Sequence, residues 1–157
     1  MSLKKYREKR RFDKTEEPID KRSSKNIFVV QKHFAKNLHY DFRLQIGKTL
    51  KSWAVPKGPS KATKDKRLAI LVEDHPLSYA DFEGEIPKGE YGAGKVAIWD
   101  RGFYKNCKKD KNGKKISLKK SMENGQIEIE VFGKKLKGKY ALIHFKEKNW
   151  LLIKMKN

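Results

Sequence analysis

The segment Lys32-His33-Phe34-Ala35-Lys36-Asn37-Leu38-His39-Tyr40-Asp41-Phe42-Arg43-Leu44 gathers side chains that could do chemistry together. From Leu38 to Ile46 it alternates strictly, with Leu38, Tyr40, Phe42, Leu44 and Ile46 on one face of a strand and His39, Asp41 and Arg43 on the other. The apolar face fixes the register, so the polar face presents an imidazole, a carboxylate and a guanidinium in a row. Same-face neighbours lie about 6.6 Å apart along a strand, close enough for His39 and Asp41 to converge on one cation with bonds of about 2.0 to 2.2 Å. A third ligand has to come from outside that strand. His33, just past the apolar run ending at Val30, is the nearest candidate. Two histidines and a carboxylate suit Mn, Fe(II) or Zn. In the bland alternative, His39, Asp41 and Arg43 form the solvated face of a half-exposed strand with an ordinary surface ion pair.

A second polar cluster ends another strand. Leu68 to Val72 is apolar on both faces and reads as a buried central strand, yet it runs into Glu73-Asp74-His75-Pro76, with Tyr79 after a short turn. His75 could clamp an anion or donate a proton, its reference pKa of about 6.5 lying near neutrality, or it could merely cap the turn before Pro76. The glycine-rich stretch Gly84 to Gly94 lacks the Gly-Lys-Ser/Thr ending of a phosphate loop and leads into a strand instead of a helix, so it reads as a structural turn needing positive φ. Trp53, Trp99, Trp150 and His144 sit in strand patterns and read as core and sheet residues. Cys107 lies among lysines with no adjacent histidine, and no nucleophilic triad is visible.

The elements that must hold these groups are short strands. Ile27 to Val30, Leu38 to Ile46, Leu50 to Val55, Leu68 to Glu73, Lys95 to Asp100, Ile127 to Phe132, Tyr140 to Phe145 and Trp150 to Lys154 have strand texture, separated by segments rich in Gly, Pro, Asn or Lys. Only Ile116 to Asn124 reads as helical, with Gly125 to end it. About eight strands without strand and helix alternation argue for an antiparallel barrel or sandwich in one domain over 27–157, preceded by a basic arm over 1–26.

Composition narrows the partners. The 157 residues hold 39 Lys+Arg against 19 Asp+Glu, a formal charge of +20, which marks nucleic acid as the leading partner. Basic residues cluster at Lys4 to Arg22, Lys105 to Lys120 and Lys134 to Lys139; the second run, broken by Asn106, Asp110, Asn112 and Gly113, reads as an exposed loop able to track a phosphate backbone. No basic amphipathic helix accompanies these lysines, so an anionic membrane is the weaker partner. The longest uninterrupted apolar run is Leu68 to Val72, far short of the roughly 20 residues of a membrane span, and the N-terminus lacks the apolar core of a secretory signal. A soluble intracellular protein is expected. A single cysteine excludes an internal disulfide and a cysteine-based zinc finger.

In order along the chain, His33-x5-His39-x-Asp41-x-Arg43, Lys51-Ser52-Trp53-Ala54-Val55-Pro56-Lys57-Gly58-Pro59, Glu73-Asp74-His75-Pro76-Leu77-x-Tyr79-x-x-Phe82-Glu83-Gly84 and Gly89-Glu90-Tyr91-Gly92-Ala93-Gly94 closely resemble the 3'-phosphoesterase domain of bacterial and archaeal DNA ligase D. The resemblance runs from Tyr6 to Lys154. It implies an all-β fold, a small antiparallel β barrel with a short helix and an extended basic N-terminal arm, holding Mn(II) or another divalent transition metal. The implied substrate is the 3' end of a DNA or DNA/RNA primer strand. Such a domain removes a terminal ribonucleoside and then the remaining 3'-phosphate, exposing a 3'-OH for nonhomologous end joining, in the cytoplasm at the nucleoid and beside ligase and polymerase components. Carried over by position, His33, His39 and Asp41 would be metal ligands, Arg43 and His75 would contact the scissile phosphate, and Glu73 and Tyr79 would complete the pocket. Arg10, Glu17 and Arg67 would contact the substrate. The arm departs from the family pattern at Arg11, where the family has Asp. Two rivals remain: a noncatalytic nucleic-acid-binding barrel, which explains the charge, and a non-haem iron oxygenase, which explains His-x-Asp followed by a distant His.

Overall fold

Alternation in the strands, and the turns between them, build a closed wall. The computed structural model describes residues 26–90 and 93–156. Its strands are β1 (Asn26–Phe34), β2 (Leu38–Ile46), β3 (Thr49–Val55), β4 (Lys66–Pro76), β5 (Gly84–Ile86), β6 (Gly94–Asn106), β7 (Gln126–Phe132), β8 (Lys137–Lys146) and β9 (Asn149–Lys154), with a 3-10 turn at Leu77–Asp81 and helix α1 at Leu118–Asn124. All strand pairs are antiparallel, in the order β1-β2-β3-β4-β9-β8-β7-β6-β5, and β1 also pairs with β6. That last pairing closes an eight-stranded barrel and leaves β5 as a flap on β6. Ser117 caps α1 by accepting the Lys120 N–H, and Gly125 ends it in the left-handed conformation expected of that glycine.

One face of each wall strand fills the barrel. Phe28, Val30, Phe42, Leu44, Trp53, Ala69, Ile129, Tyr140, Leu142 and Trp150 form its core, with Trp53 and Trp150 edge to face at 5.5 Å. Gly58, at φ +77, lets the β3–β4 loop press onto the Tyr40 ring at one end; a Cβ there would meet the ring at 2.8 Å. The opposite face of β1, β2, β3 and β6 should meet solvent, yet part of it carries a second core of Val29, Leu50, Tyr79, Ala80, Phe82 and Val96. The cover is residues 77–86, which follow β4 on the outside of the barrel and end in β5 beside β6.

Two expectations are corrected. Leu68 to Val72 is not buried on both faces: Ala69 is buried, Leu68 is 40% exposed, and the others are half-buried. As one strand of a closed wall, β4 turns Ala69 and Leu71 inward and leaves the alternate residues outside. The basic run from Lys105 is not all loop, since β6 extends through Asn106. The glycine-rich segment contains β5, and Gly84, Gly89 and Gly94 all have positive φ; Tyr91 and Gly92 lie outside the described residues.

Candidate metal centre

The polar face of β2 lies on the outer side of the barrel wall, under the edge of that cover. His33 of β1 stands directly opposite His39 of β2, and Gln31 opposite Asp41, so closing the β1–β2 hairpin is enough to unite two imidazoles and a carboxylate. His39 Nε2 lies 3.3 Å from Asp41 Oδ1, His33 Nδ1 3.6 Å from Asp41 Oδ2, and one ligand atom from each residue falls within 4.8 Å of the others. His39 Nδ1 is held by the Asn37 carbonyl at 3.0 Å, which turns Nε2 toward the carboxylate. His33 and Asp41 are buried and His39 is half-buried.

Two residues further along β2, Arg43 lies almost wholly buried with each guanidinium nitrogen engaged. Nε donates to Gln31 Oε1 at 2.6 Å, Nη1 donates to His75 Nδ1 at 3.2 Å, and Nη2 lies 3.4 Å from Asp41 Oδ2. Its plane sits over the Tyr79 ring at 4.8 Å, and that ring contacts His75 on one side and stacks on Phe82 on the other. A β-bulge brings His75 into the row. Between Ser52↔Val72 and Leu50↔His75, β4 carries one residue more than β3, so His75 shares the outer face with Leu50 instead of turning inward.

The electrostatics follow from burial against charge. Burial alone would raise the Asp41 carboxyl, but the His33 and His39 hydrogen bonds and the Arg43 charge together hold it well below the usual carboxylate range. The bond to Asp41 raises His39 against the effect of burial, and burial lowers Arg43. Burial, with the Arg43 charge beside it, pushes His75 down to about 4. Burial and Arg43 thus favour the neutral form of the His75 ring.

The donor set fits a borderline divalent cation: two neutral-capable imidazoles and a carboxylate kept ionised, with none of the all-oxygen character that Ca or Mg prefers.

A sequence model of the DNA ligase D 3'-phosphoesterase domain matches residues 31–144, a span that begins at Gln31 and contains this whole constellation. The chain belongs to that family. Similar curated proteins include the multifunctional non-homologous end joining protein LigD of Pseudomonas aeruginosa, 45% identical over 164 aligned residues. The proteins of the same name from Mycolicibacterium smegmatis and, with DNA repair added to the name, from Mycobacterium tuberculosis strain H37Rv are each 43% identical. These alignments cover 97 to 99% of this chain but only 19 to 20% of each relative, so the chain spans about a fifth of their length.

Within this ligase D domain, the expected site residues separate by position. His33, His39, Asp41, Arg43, His75 and Tyr79 come together. Glu73 enters through its carbonyl, 3.1 Å from His75 Nδ1, while its side chain is exposed. Arg67 is not brought to the cluster: it shares the face of Ala69 and Leu71, is paired in register with buried Leu152, and lies 3.6 Å from Asp65 at the mouth of the barrel. Arg10, Arg11 and Glu17 lie outside the described residues. Gln31 was missed from the sequence. It is fully buried, accepts from Arg43, and donates Nε2–H to the carbonyls of Tyr79 and Phe82 at 2.8 and 3.1 Å. Its signal was its position two residues before His33, on the same strand face. Ser52, buried opposite Arg43, was likewise not singled out.

Proposed function

We propose that this domain is a metal-dependent DNA 3'-end phosphoesterase, removing a 3'-phosphate and a 3'-terminal ribonucleoside to leave a 3'-OH for end joining. The observation that carries the reading is the continuous row of His33, His39 and Asp41, then Arg43, then His75 on one strip of wall. Asp41 and Arg43 offset each other's charge, so a divalent cation held by His33, His39 and Asp41, Mn(II) first, would leave the strip with the charge needed to receive a phosphate. The chemistry such a cation supplies is Lewis acidity toward a phosphoryl oxygen and activation of water.

The chain's own residues do the rest. Of the five guanidinium N–H groups, three are committed to Gln31, His75 and Asp41, and the remaining two, on Nη1 and Nη2, form the fork that grips phosphoryl oxygens. The Tyr79 ring and Gln31 fix the plane of that fork. Arg43 Nη1 and the Glu73 carbonyl both lie within reach of His75 Nδ1; in the tautomer that accepts from Arg43, which can only donate, the neutral ring carries its proton on Nε2 and offers it to a third oxygen or to the departing 3' oxygen. A noncatalytic binding barrel or an iron oxygenase leaves this Arg43 and His75 arrangement without a role. Ligase and polymerase functions would be reached either as parts of one longer chain or as separate proteins, in the cytoplasm.

The deciding assay follows phosphate release from a DNA strand ending in 3'-phosphate. Turnover with Mn(II), abolished by EDTA, is expected, and no turnover with Mn, Co, Zn or Mg overturns the reading. Asp41→Asn should lose bound metal by elemental analysis as well as activity. Because Arg11 cannot accept a hydrogen bond from a 2'-OH, ribonucleoside removal should be slower than phosphate removal and should rise in Arg11→Asp; equal rates in the wild type would show that Asp13 or Glu17 supplies the acceptor.

A further inference from the structure

The end of the barrel that carries the metal cluster is formed by the tip of the β1–β2 hairpin, the β3–β4 loop and the β7–β8 turn, together with the end of β9. These connections hold Lys36, then Lys57, Lys61 and Lys64, then Lys134 and Lys135, against one acid, Asp65, which already faces Arg67. Every lysine and aromatic stack among the described residues lies toward this end: Lys32 over Phe34 and Tyr40 at 5.1 and 5.8 Å, Lys135 over Trp99 at 5.0 Å, and Lys154 over Tyr140 at 5.8 Å. The β7–β8 turn is rigidly placed, because the buried Asp100 carboxylate accepts the backbone N–H groups of Lys134, Lys135 and Leu136. Phe34 and Leu38, cross-strand partners next to the His33 and His39 pair, are 43% and 48% exposed. Apolar surface of that kind, beside unpaired cations, suits the bases and backbone of a nucleic-acid strand.

The basic run 105–120 has a different character. Lys105 at the end of β6, Lys108 in the loop after it and Lys120 in α1 are each drawn to an acid, Glu130, Glu128 and Glu123, at 3.6, 3.2 and 3.9 Å. It is also remote. His33 pairs with Val96, and β6 continues ten residues to Asn106, which is about 30 Å at about 3.3 Å per residue.

We infer that the strand bearing the 3' end is held across the metal-cluster end of the barrel, by the β3–β4 loop and β7–β8 turn lysines, and not by the basic loop between β6 and α1. This surface rests on the phosphoesterase reading for its substrate, but it is tested by binding alone. The probe is an 18-base-pair duplex with a 3'-phosphate, its affinity measured by fluorescence anisotropy in EDTA as a function of salt. One variant carries Lys61→Gln, Lys64→Gln, Lys134→Gln and Lys135→Gln; the other carries Lys109→Gln, Lys111→Gln, Lys114→Gln and Lys115→Gln. All eight residues are exposed.

Each phosphate contact contributes about −0.9 to the log-log slope, so the first variant should flatten it by about 2 to 4 while the second leaves it unchanged. Equal flattening in both, flattening in the second alone, or no binding by the wild type overturns the inference. Should the first variant fail to fold by thermal melting, Lys61→Gln with Lys64→Gln should show about half the change, and an unchanged slope there overturns it equally. Loss of phosphate release in the wild type with the slope pattern intact would strike the catalytic reading and leave this surface standing.

Discussion

Gln31 gives the most exacting test of how the site is held. Its side chain is the joint between wall and cover: the amide oxygen accepts from Arg43 Nε at 2.6 Å, and the amide nitrogen donates to the carbonyls of Tyr79 and Phe82. Gln31→Ala removes all three bonds from a fully buried position. The Tyr79 carbonyl keeps a second donor, the Phe82 N–H at 3.0 Å, so the loss falls on the Arg43 Nε–H and the Phe82 carbonyl. Leaving a buried charged donor and a buried carbonyl unsatisfied costs about 1 to 3 kcal/mol each. Adding the small cavity, the expected destabilisation is about 3 to 5 kcal/mol, read as a fall in Tm of about 6 to 20 °C.

A purely structural glutamine would stop there. A positioning one also controls where the guanidinium fork points, so kcat/KM on the 3'-phosphate substrate should fall about 100-fold or more while metal affinity by calorimetry stays near wild type. Gln31→Glu separates the two bonds. It keeps an acceptor for Arg43 but turns a carboxylate oxygen on the two carbonyls and stands a second carboxylate opposite Asp41. It should recover part of the lost kcat/KM and little of the lost stability. Destabilisation by Gln31→Ala of under about 1 kcal/mol, with kcat/KM unchanged, would refute the argument.

Two further outcomes follow from the same contacts. Because His75 titrates at about 4 folded against 6.5 unfolded, the unfolded chain binds the extra proton between those values; stability supplied by the neutral ring is full above pH 6.5 and is lost as pH falls to 4. Denaturant melts of wild type and His75→Gln should diverge only in that window, and an NMR titration placing His75 near 6.5 would remove the basis for its neutral role. Gly94→Ala should cost more than about 3 kcal/mol, because a Cβ at its φ of +127 would meet the Phe34 carbonyl oxygen at 2.3 Å; a melting point within about 2 °C of wild type would show that the hairpin tip yields.

The parts legible in the sequence were those fixed by local rules. Strict alternation from Leu38 to Ile46 placed His39, Asp41 and Arg43 on one face, and Gly125 marked the end of the helix, whose start lies at Leu118 behind the Ser117 cap and not at Ile116. What escaped needed knowledge of parity or closure. In the continuous apolar run Leu68 to Val72, either alternate set could face inward, so nothing local showed that Arg67 would join the inner set with Ala69 and Leu71. His75 reaches the site only through a bulge that reverses its side of the strand. Gln31 follows Phe28-Val29-Val30 and reads as the polar end of an apolar run, until the crossover supplies the two carbonyls that make a buried amide tolerable.

The position of the site on the outer wall has a physical reason. The lumen of an eight-stranded barrel is just wide enough for side chains to fill it, and here Trp53, Trp150, Phe28, Phe42 and Tyr140 do so. An ionised cluster placed there would displace the core and face a desolvation cost of several kcal/mol per charge. On the outside, the hairpin can present the same residues to an incoming phosphate, but a bare wall would leave Arg43 hydrated and mobile. The cover at 77–86 resolves this by covering Arg43 and half-covering His75 with Tyr79 and Phe82 while His39 stays accessible. Burial is therefore graded along one strand face: the fork is dry and fixed by Gln31, and the ligand end is open enough for a cation and a strand end to enter. That gradient predicts which contacts a surface substitution can reach. Changes at the hairpin tip should alter cation and substrate affinity, whereas changes in the 77–86 cover should act on turnover through Arg43.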